Sequence, residues 1–567
     1  MRLRHAAVPT GTTTNRRRTA VVAVAVMVVT GLPATAANAS PGAADWRDVV
    51  VTGSNADGAA QAVKTAGGRV LALLPITHGV AAQLPPNSRL GPEWSVAPQR
   101  KISVAAVSPP AQVGAASTIR QMLGMAADGD EGRGVTVAVV DTGIAKVPDL
   151  AGQLSDRVDL TGTGAGDGYG HGTFMAGLIA ATGAASNGAY RGVAPKAKLI
   201  DVKVADAQGS TDLITVLRGL QWVSDHGNVD VVNLSLSSQS PLPYQIDPLT
   251  QALESLWQHG ITVVVPSGND GPDTGSVTSP GNDPMLLTTG GLEVVGTASR
   301  SDDVVGAWSG RGPTWQGDAK PDIVSAGGHV VSLRSPGSVV DVANPSARVD
   351  TAYFRGSGTS MAAAVASGVI ADALSVQPKL SPDAVKNLVT STTYATSGLS
   401  RAAGAGAGGL DAKRVLSAAA TWKTSKNQVR YDEDTATVSR DAKRWATFSK
   451  AIVDGDQDAA NRAWATLSPD SRDWAARAWA QLDPAARAWA ARAWAAQAWA
   501  GADSEWAARA WAARAWAARA WASDDWAARA WASSDWTARA WAADEWTARA
   551  WAADQWTARA WAWLPLS

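Results

Sequence analysis

A serine stands in a run of small residues, Gly356-Ser357-Gly358-Thr359-Ser360-Met361-Ala362, and an apolar, helix-like stretch from 362 to 374 follows it. Glycine lets the backbone turn sharply. A serine at the start of a helix has its hydroxyl near unpaired N–H groups and the positive end of the helix dipole. Such a position suits a nucleophile and the stabilisation of an anion. Alone, the run fits an ordinary loop or helix cap as well, so other residues must decide.

Three further polar residues stand where apolar runs end or helix patterns begin. Asp141 follows the apolar run 135–140, His171 opens an apolar helix pattern, and Asn269 follows another apolar run. Together with Ser360 these are the parts of nucleophilic acyl transfer. In that chemistry Ser360 attacks a carbonyl, His171 takes and returns its proton, and Asp141 orients the imidazole. Asn269 would donate a hydrogen bond to the oxyanion.

The elements that must position these residues follow from hydrophobic patterning. Short β-branched, apolar runs suit strands that are buried on both faces of a parallel sheet. Such runs span 135–140, 199–204, 229–236 and 261–265. Helix patterns span 211–226, 247–259 and 362–374. Alternating strands and helices indicate an α/β domain, in which ligands bind beyond the carboxyl ends of the strands.

Three stretches match the signatures of one family, the subtilases, and stand in that family's order of Asp, His and Ser. They are Val139-Val140-Asp141-Thr142-Gly143-Ile144, His171-Gly172-Thr173 and Gly358-Thr359-Ser360-Met361-Ala362. Three further stretches resemble secondary signatures of the same family. They are Val232-Asn233-Leu234-Ser235-Leu236, Gly268-Asn269 and Lys320-Pro321-Asp322-Ile323. Residues 117–421 therefore resemble a subtilisin-like serine peptidase domain. The resemblance implies an α/β, parallel-sheet, three-layer fold in which Asp141, His171, Ser360 and Asn269 are catalytic.

The resemblance also implies where a peptide substrate binds. One edge strand would pair with the extended substrate, and a second segment would line the primary specificity pocket. The residues concerned are Ser235, Leu236 and Ser237 on the edge strand, and Pro266, Ser267 and Gly268 at the pocket.

Two positions depart from the family pattern. Ala364 stands where the family usually has proline, and because alanine favours helix we expect a slightly altered helix start with retained chemistry. Ser237-Ser238 stands where the family usually has glycines. Side chains there would narrow the substrate pocket, so this departure bears on substrate preference.

The chain before the peptidase domain divides into two parts. Residues 1–39 have the features of an export signal, with Arg16-Arg17-Arg18, an apolar stretch over 19–32 and Ala37-Asn38-Ala39 as a cleavage site. An N-terminal membrane anchor is the alternative. Residues 40–116 are predicted as a small α+β module followed by a linker. By the resemblance this module is an inhibitory propeptide, which folds against the peptidase and lays its C-terminal tail through the active site.

The chain after the peptidase domain is predicted as a polar linker over 422–460 and a Trp-rich repeat tail over 461–567. From Trp506 to Trp561 a tryptophan falls on every fifth residue. Five residues advance about 140° around a helix, so the tryptophans would surround it instead of forming one stripe. Attachment to a cell-envelope polymer or a membrane surface would cover them, because tryptophan favours membrane interfaces and stacks on sugars. A low-complexity expansion that self-packs or stays disordered is the alternative.

Composition bears on several classes of function. The formal net charge is zero, so nothing indicates a nucleic-acid partner. The chain has no cysteine, which rules out disulfides, cysteine-based zinc sites and thiol catalysis. Six histidines and the lack of an acidic cluster predict no metal site and no required cofactor, although a structural calcium site built from backbone carbonyls stays open.

The sequence thus predicts a secreted, extracellular serine endopeptidase that is made as a self-processed precursor. Its partners would be peptide or protein substrates, its own propeptide and, through the tail, the cell envelope. The alternative is a non-catalytic surface protein that keeps the subtilase fold as a scaffold and binds the envelope through its tryptophan repeat.

Overall fold

The structure is a computed structural model that describes most of the chain between residues 46 and 467. The described residues are 46–85, 88–104, 119–125, 131–238, 240, 242–293, 299–314, 316–423, 431, 440–454 and 456–467. The predicted export signal and the tryptophan repeat beyond residue 467 lie outside this part of the chain.

The first described segment folds as a small antiparallel sheet with one helix, here called the N-terminal module. Its elements are β1 (Arg47–Thr52), α1 (Ala56–Thr65), β2 (Arg69–Leu74), β3 (Gly79–Leu84) and β4 (Ser95–Pro98). The strand order is β2-β3-β1-β4, so β4 is an edge strand. Asn55 begins the helix, because its side chain accepts a hydrogen bond from Gly58 N at 2.7 Å. A small α+β module is thus present where the sequence predicts one.

The elements that follow run in chain order through the peptidase region. They begin with β5 (Lys101–Val104), α2 (Ile119–Met122), β6 (Thr136–Asp141), β7 (Leu154–Asp159), α3 (His171–Ala180), β8 (Lys198–Lys203), β9 (Ser210–Asp212), α4 (Leu213–His226), β10 (Val231–Leu234), β11 (Leu236–Ser237), α5 (Pro248–Gln258) and β12 (Thr262–Pro266). They continue with β13 (Leu287–Glu293), β14 (Val304–Val305), β15 (Ile323–Ala326), β16 (Val330–Leu333), α6 (Val339–Ala343), β17 (Tyr353–Gly356), α7 (Thr359–Val376), α8 (Pro382–Ser391) and α9 (Ala412–Thr421).

The largest sheet has the strand order β14-β13-β12-β10-β6-β8-β7, and β15 also pairs with β13. All of its pairings are parallel except that of β13 with β14. Every residue of β6, β10 and β12 is buried, which is why these strands are continuous apolar runs. The mostly parallel α/β fold predicted from the sequence is confirmed.

Helices pack on this sheet in two pairs, α3 with α7 and α4 with α5. Helix α7 runs without interruption through Ala364, which is fully buried. By length and composition α7 could cross a membrane, but nearly all of it is buried inside the protein. Its apolar sequence is therefore that of a core helix, and its first turn carries Ser360.

The segment 422–460, predicted as a linker, contains regular structure. Helices α10 (Arg440–Val453) and α11 (Gln457–Ala465) pack against each other and are here called the C-terminal helical pair. Polar residues dominate α10, although its few apolar residues recur at helical spacing on one face. The few aromatic residues, Trp445 and Phe448, fall one turn apart and are both fully buried. A few large apolar residues therefore define the buried face of α10, and the polar composition of the segment 422–460 obscures them.

Candidate active site

The predicted base, His171, contacts Asp141, the residue predicted to orient its imidazole, at the carboxyl edge of the main sheet. Asp141 is the last residue of β6, and His171 is the first residue of α3. His171 Nδ1 lies 2.8 Å from Asp141 Oδ1 and 2.9 Å from Oδ2. Because a carboxylate only accepts, Nδ1 carries the proton and donates it. His171 Nε2 is left as the basic nitrogen, and it is buried with no hydrogen-bond partner among the described residues.

The close approach of these two residues depends on a second carboxylate that the sequence analysis missed. Asp167 accepts hydrogen bonds from Thr142 Oγ1 at 2.8 Å, from Gly170 N at 2.6 Å and from Thr173 N at 2.8 Å. Thr142 Oγ1 in turn accepts from Gly172 N at 2.9 Å. Asp167 thereby joins the loop after β6 to the start of α3, and burial raises the pKa of its carboxyl.

Asp167 lies four residues before His171 and three before Gly170, the N-cap of α3, so no capping pattern in the sequence identifies it. Gly172 is required for a different reason. A Cβ atom there would collide with the carbonyl oxygen of Gly143, so a larger residue would push α3 away from the β6 loop. Both features hold His171 at a fixed distance from Asp141.

Ser360 lies beside the end of the neighbouring strand. It is fully buried, and its hydroxyl donates to the carbonyl oxygen of Ser235 at 3.4 Å. Strands β6 and β10 are adjacent and parallel, with Val140 opposite Leu234. The next residues along the two strands are Asp141 and Ser235, and adjacent strands lie about 4.8 Å apart. The predicted nucleophile and the Asp141–His171 pair therefore meet at one edge of the sheet.

Asn269 is positioned next to the nucleophile. Its side-chain oxygen Oδ1 accepts from Thr359 N at 3.0 Å and from Thr359 Oγ1 at 3.0 Å. With Oδ1 engaged in this way, Nδ2 is the end of the amide that can donate to an oxyanion at Ser360. These two bonds also fix Thr359, the first residue of α7, so the helix begins one residue before Ser360.

The predicted substrate-binding strand is occupied by another part of the same chain. Strand β5 runs antiparallel between β11 and β9 in a three-stranded sheet. Val104 lies opposite Leu236, and Ser103 lies opposite Ser237 on one side and Ser210 on the other. An extended segment that follows the N-terminal module thus makes the contacts expected of a peptide substrate.

The predicted pocket residues follow strand β12 towards the same edge. Pro266 ends β12, and Ser267 is fully buried with its N–H donated to Thr289 O at 3.0 Å. Gly268 has φ +94°, and a Cβ atom there would collide with the side chain of Thr278. Only glycine therefore fits this turn, which leads directly to Asn269.

The departure at Ser237-Ser238 has a further role that the sequence did not indicate. Ser238 Oγ accepts a hydrogen bond from Arg100 Nε at 3.4 Å. Arg100 lies between β4 and β5 and forms a bidentate ion pair with Asp247, with both Nη2–O distances at 2.8 Å. Both side chains are almost completely buried. This ion pair holds the segment between β4 and β5 against the beginning of α5.

Residues 132–406 match the model of a known family, which is described as the subtilase family. This part of the chain is therefore similar to subtilisin-like serine peptidases. The chain is similar to serine protease AprX of Bacillus subtilis (strain 168), with 44% identity over 273 residues that cover 46% of this chain and 62% of that protein. It is also similar to M-protease of Shouchella clausii (strain KSM-K16), with 34% identity over 261 residues that cover 46% of this chain and 59% of that protein.

A solved structure also resembles this chain. The crystal structure of fervidolysin from Fervidobacterium pennivorans, a keratinolytic enzyme related to subtilisin, aligns with a TM-score of 0.51 and 24% identity. The alignment covers 66% of this chain and 61% of fervidolysin, and at this identity it shows the fold alone. The chain spans about three fifths of the length of each of these three proteins.

Proposed function

We propose that the protein is an exported serine endopeptidase that hydrolyses peptide bonds through an acyl-enzyme and is made as a self-processed precursor. The observation that carries this proposal is the buried Asp141–His171 pair at the sheet edge where Ser360 lies in the first turn of α7. Three residues from distant parts of the sequence converge there in the roles that acyl transfer needs.

In the proposed mechanism each side chain has one role. Ser360 Oγ attacks the scissile carbonyl, and His171 Nε2 takes the hydroxyl proton. Asp141 holds the imidazole through Nδ1 and stabilises the imidazolium that forms. Asn269 Nδ2 donates to the oxyanion of the tetrahedral intermediate. His171 then gives its proton to the leaving amine, and water hydrolyses the ester on Ser360 by the same steps in reverse order.

The position of β5 supports the proposal that the N-terminal module is an inhibitory propeptide. The chain runs along β5 from Lys101 to Val104, in the direction of Ser235. Ser235 is the residue whose carbonyl oxygen accepts from Ser360. We propose that self-cleavage occurs within a few residues after Val104.

The module also lies against the peptidase helices, as an inhibitor should. Ile76 N donates to Gln221 Oε1 of α4 at 2.9 Å. Leu213 N, at the start of α4, donates to the carbonyl oxygen of Arg100 at 3.0 Å. These contacts explain how a cleaved module would stay bound and keep substrate away from Ser360.

Secretion, and attachment of the tail to a cell-envelope polymer or membrane surface, are parts of the same proposal. Residues 1–39 would direct export, and the tail over 461–567 would hold the enzyme at the envelope. Deleting 468–567 should move the enzyme into the medium and leave hydrolysis of a short peptide unchanged. We propose further that the reaction needs no cofactor, because Ser360, His171 and Asp141 would supply the nucleophile, the base and the group that orients the base.

A fluorophosphonate probe tests the function directly, because it labels a serine only when that serine is activated. The wild-type chain should be labelled at Ser360 once β5 has been released. The variants Ser360→Ala and His171→Ala should remain unlabelled although they fold. An unlabelled wild-type chain that binds isolated cell envelopes would instead support the non-catalytic scaffold.

A further inference from the structure

The C-terminal helical pair forms its own small aromatic core. Phe448 lies between two tryptophans, with ring centroids 5.8 Å from Trp445 and 5.0 Å from Trp464. All three side chains are buried. Trp464 belongs to Arg462-Ala463-Trp464-Ala465, the first copy of the motif that recurs through the tail. The pair is therefore a packed unit, and its second helix leads directly into the tryptophan repeat.

One side of this unit lies against the N-terminal module. Helix α10 packs on β4, the edge strand of the module's sheet. Ser449 Oγ donates to the carbonyl oxygen of Val96 at 3.0 Å, and Ser449 is almost fully buried. An edge strand presents unpaired backbone groups, so this bond satisfies a group that would otherwise need water.

Charged groups add to this contact. Arg89 Nη2 of the module lies 3.2 Å from Asp456 Oδ2, which begins α11. Asp454, between the two helices, lies near Arg47 of β1. Burial lowers the pKa of Arg47, and the carboxylate of Asp454 opposes that shift. The module is thus matched to the helical pair in charge as well as in shape.

The other side of the unit lies against the peptidase domain. Helix α10 packs on the turn Tyr244–Ile246, just before α5. A small cavity at the three-way junction is lined by side chains from all three parts. They include Val96 and Ala97 of β4, Leu242 and Ile246 of the peptidase domain, and Ala446 and Ser449 of α10.

We propose that the C-terminal helical pair is a clamp that holds the N-terminal module on the peptidase domain after self-cleavage, and so sets how long the enzyme stays inhibited. This inference rests on the self-cleavage proposed above. The module is bound from one side by β5 and the helices α4 and α5. The C-terminal helical pair contacts the module at β4 and also packs on the peptidase domain. Release of the module therefore requires that both the β5 side and the β4 side separate.

The proposal predicts a difference between two neighbouring positions of α10. Ala446 lines the junction cavity, whereas Thr447 is exposed. Ala446→Glu would place a charge between β4 and the peptidase domain, where burial of an unpaired carboxylate is unfavourable. Thr447→Glu introduces the same residue on the solvent side and is the matched control.

The experiment uses the full-length chain in both variants and follows hydrolysis of a short peptide after self-cleavage. The Ala446→Glu variant should shorten the lag before activity by at least about tenfold and release the cleaved module in size-exclusion chromatography. The Thr447→Glu variant should match the wild type. The turnover number of each fully matured enzyme, counted by active-site titration, should be the same. An unchanged lag in Ala446→Glu would overturn the clamp, and so would a lowered turnover of the matured form, which would indicate a structural role.

A second measurement separates failure of the clamp from failure of self-processing. In the uncleaved Ser360→Ala background, Ala446→Glu should accelerate amide hydrogen exchange in β4 and Thr447→Glu should not. If no form of the chain is ever cleaved, the proposed function fails and the regulatory claim fails with it. If cleavage occurs but β4 exchange is the same in both variants, only the clamp is wrong.

Discussion

The catalytic edge and the surface that holds β5 are built in different ways. At the catalytic edge, residues 141–144 and 167–173 supply nearly all the bonds that join Asp141 to His171. The β5 surface is assembled from segments far apart in sequence, as in the ion pair of Arg100 with Asp247. Under the proposed function, the first region must persist through every turnover, whereas the second must open once. Substitutions at the catalytic edge should therefore lower the turnover number. Substitutions at the β5 surface should instead change how soon the cleaved module is released.

The largest effect should come from Asp141→Asn. The amide oxygen can keep the bond from Thr142 N, which leaves the NH2 group facing Nδ1 and favours the imidazole tautomer with its proton on Nε2, so the turnover number should fall by about 10⁴-fold. Active-site-titrated kinetics on a short peptide measure this loss. Asp225→Asn, on the exposed face of α4, is the matched control and should leave turnover unchanged. Similar losses in both variants would mean that the Asp141 contact has no special role.

Asn269→Ala should lower the turnover number by about 100- to 1000-fold, the usual cost of one oxyanion donor. The Michaelis constant should change little, because the interaction forms in the transition state. The variant also removes the acceptor of Thr359, so its melting temperature must be compared with that of the wild type. A near-normal turnover would place the oxyanion donors elsewhere.

Arg100→Ala acts on the other region. It leaves Asp247 buried without its ion-pair partner, so release of the cleaved module should accelerate by at least about 30-fold. Arg100→Lys keeps the charge but loses the bidentate geometry and should give an intermediate rate. Arg89→Ala is the control, because its pair with Asp456 is exposed and should contribute no more than about fivefold. Equal release rates for the two alanine variants would show that the buried Arg100–Asp247 pair does not hold the β5 surface closed.

The smallest effect should be a pH-dependent change in stability at Asp201. Burial raises the pKa of this carboxyl to about 7, and its Oδ2 accepts from Ile144 N in the β6 loop. Because the folded-state pKa is above the unfolded value, folding takes up a proton between about pH 4 and 7. Stability from this group is full below about pH 4 and is lost as the pH rises through 7.

Asp201→Asn should therefore stabilise the protein relative to the wild type by on the order of 1–2 kcal/mol at pH 8 and by nothing near pH 4. The asparagine keeps a side-chain oxygen for Ile144 N. Denaturant unfolding at the two pH values gives the difference. A stability gap that is the same at both pH values would show that Asp201 does not titrate in this range.

The sequence predicted well those features that short stretches specify. The run 135–140 corresponds to β6 (Thr136–Asp141), and the pattern 247–259 corresponds to α5 (Pro248–Gln258). About ten consecutive residues are enough to specify a buried strand or a capped helix. Asp141 and His171 lie at the ends of such elements, at the last residue of β6 and the first residue of α3.

The features that the sequence did not predict depend on distant partners or on few residues. The partner of Arg100 lies 147 residues away, and no local pattern identifies it. The start of α7 at Thr359 depends on the side chain of Asn269. The segment 422–460 appeared as a linker because only a few large residues such as Trp445 define the buried side of α10.

The most direct test of self-cleavage by Ser360 is the intact mass of the purified full-length protein, wild type and Ser360→Ala, made in a host without extracellular proteases. If Ser360 makes the cut, the wild type should be cleaved within a few residues after Val104, and its two pieces should elute together. The Ser360→Ala chain should keep residues 46–104 joined to the peptidase domain. Cleavage of the purified Ser360→Ala chain at the same position would contradict self-cleavage by Ser360, because another nucleophile would then have made the cut.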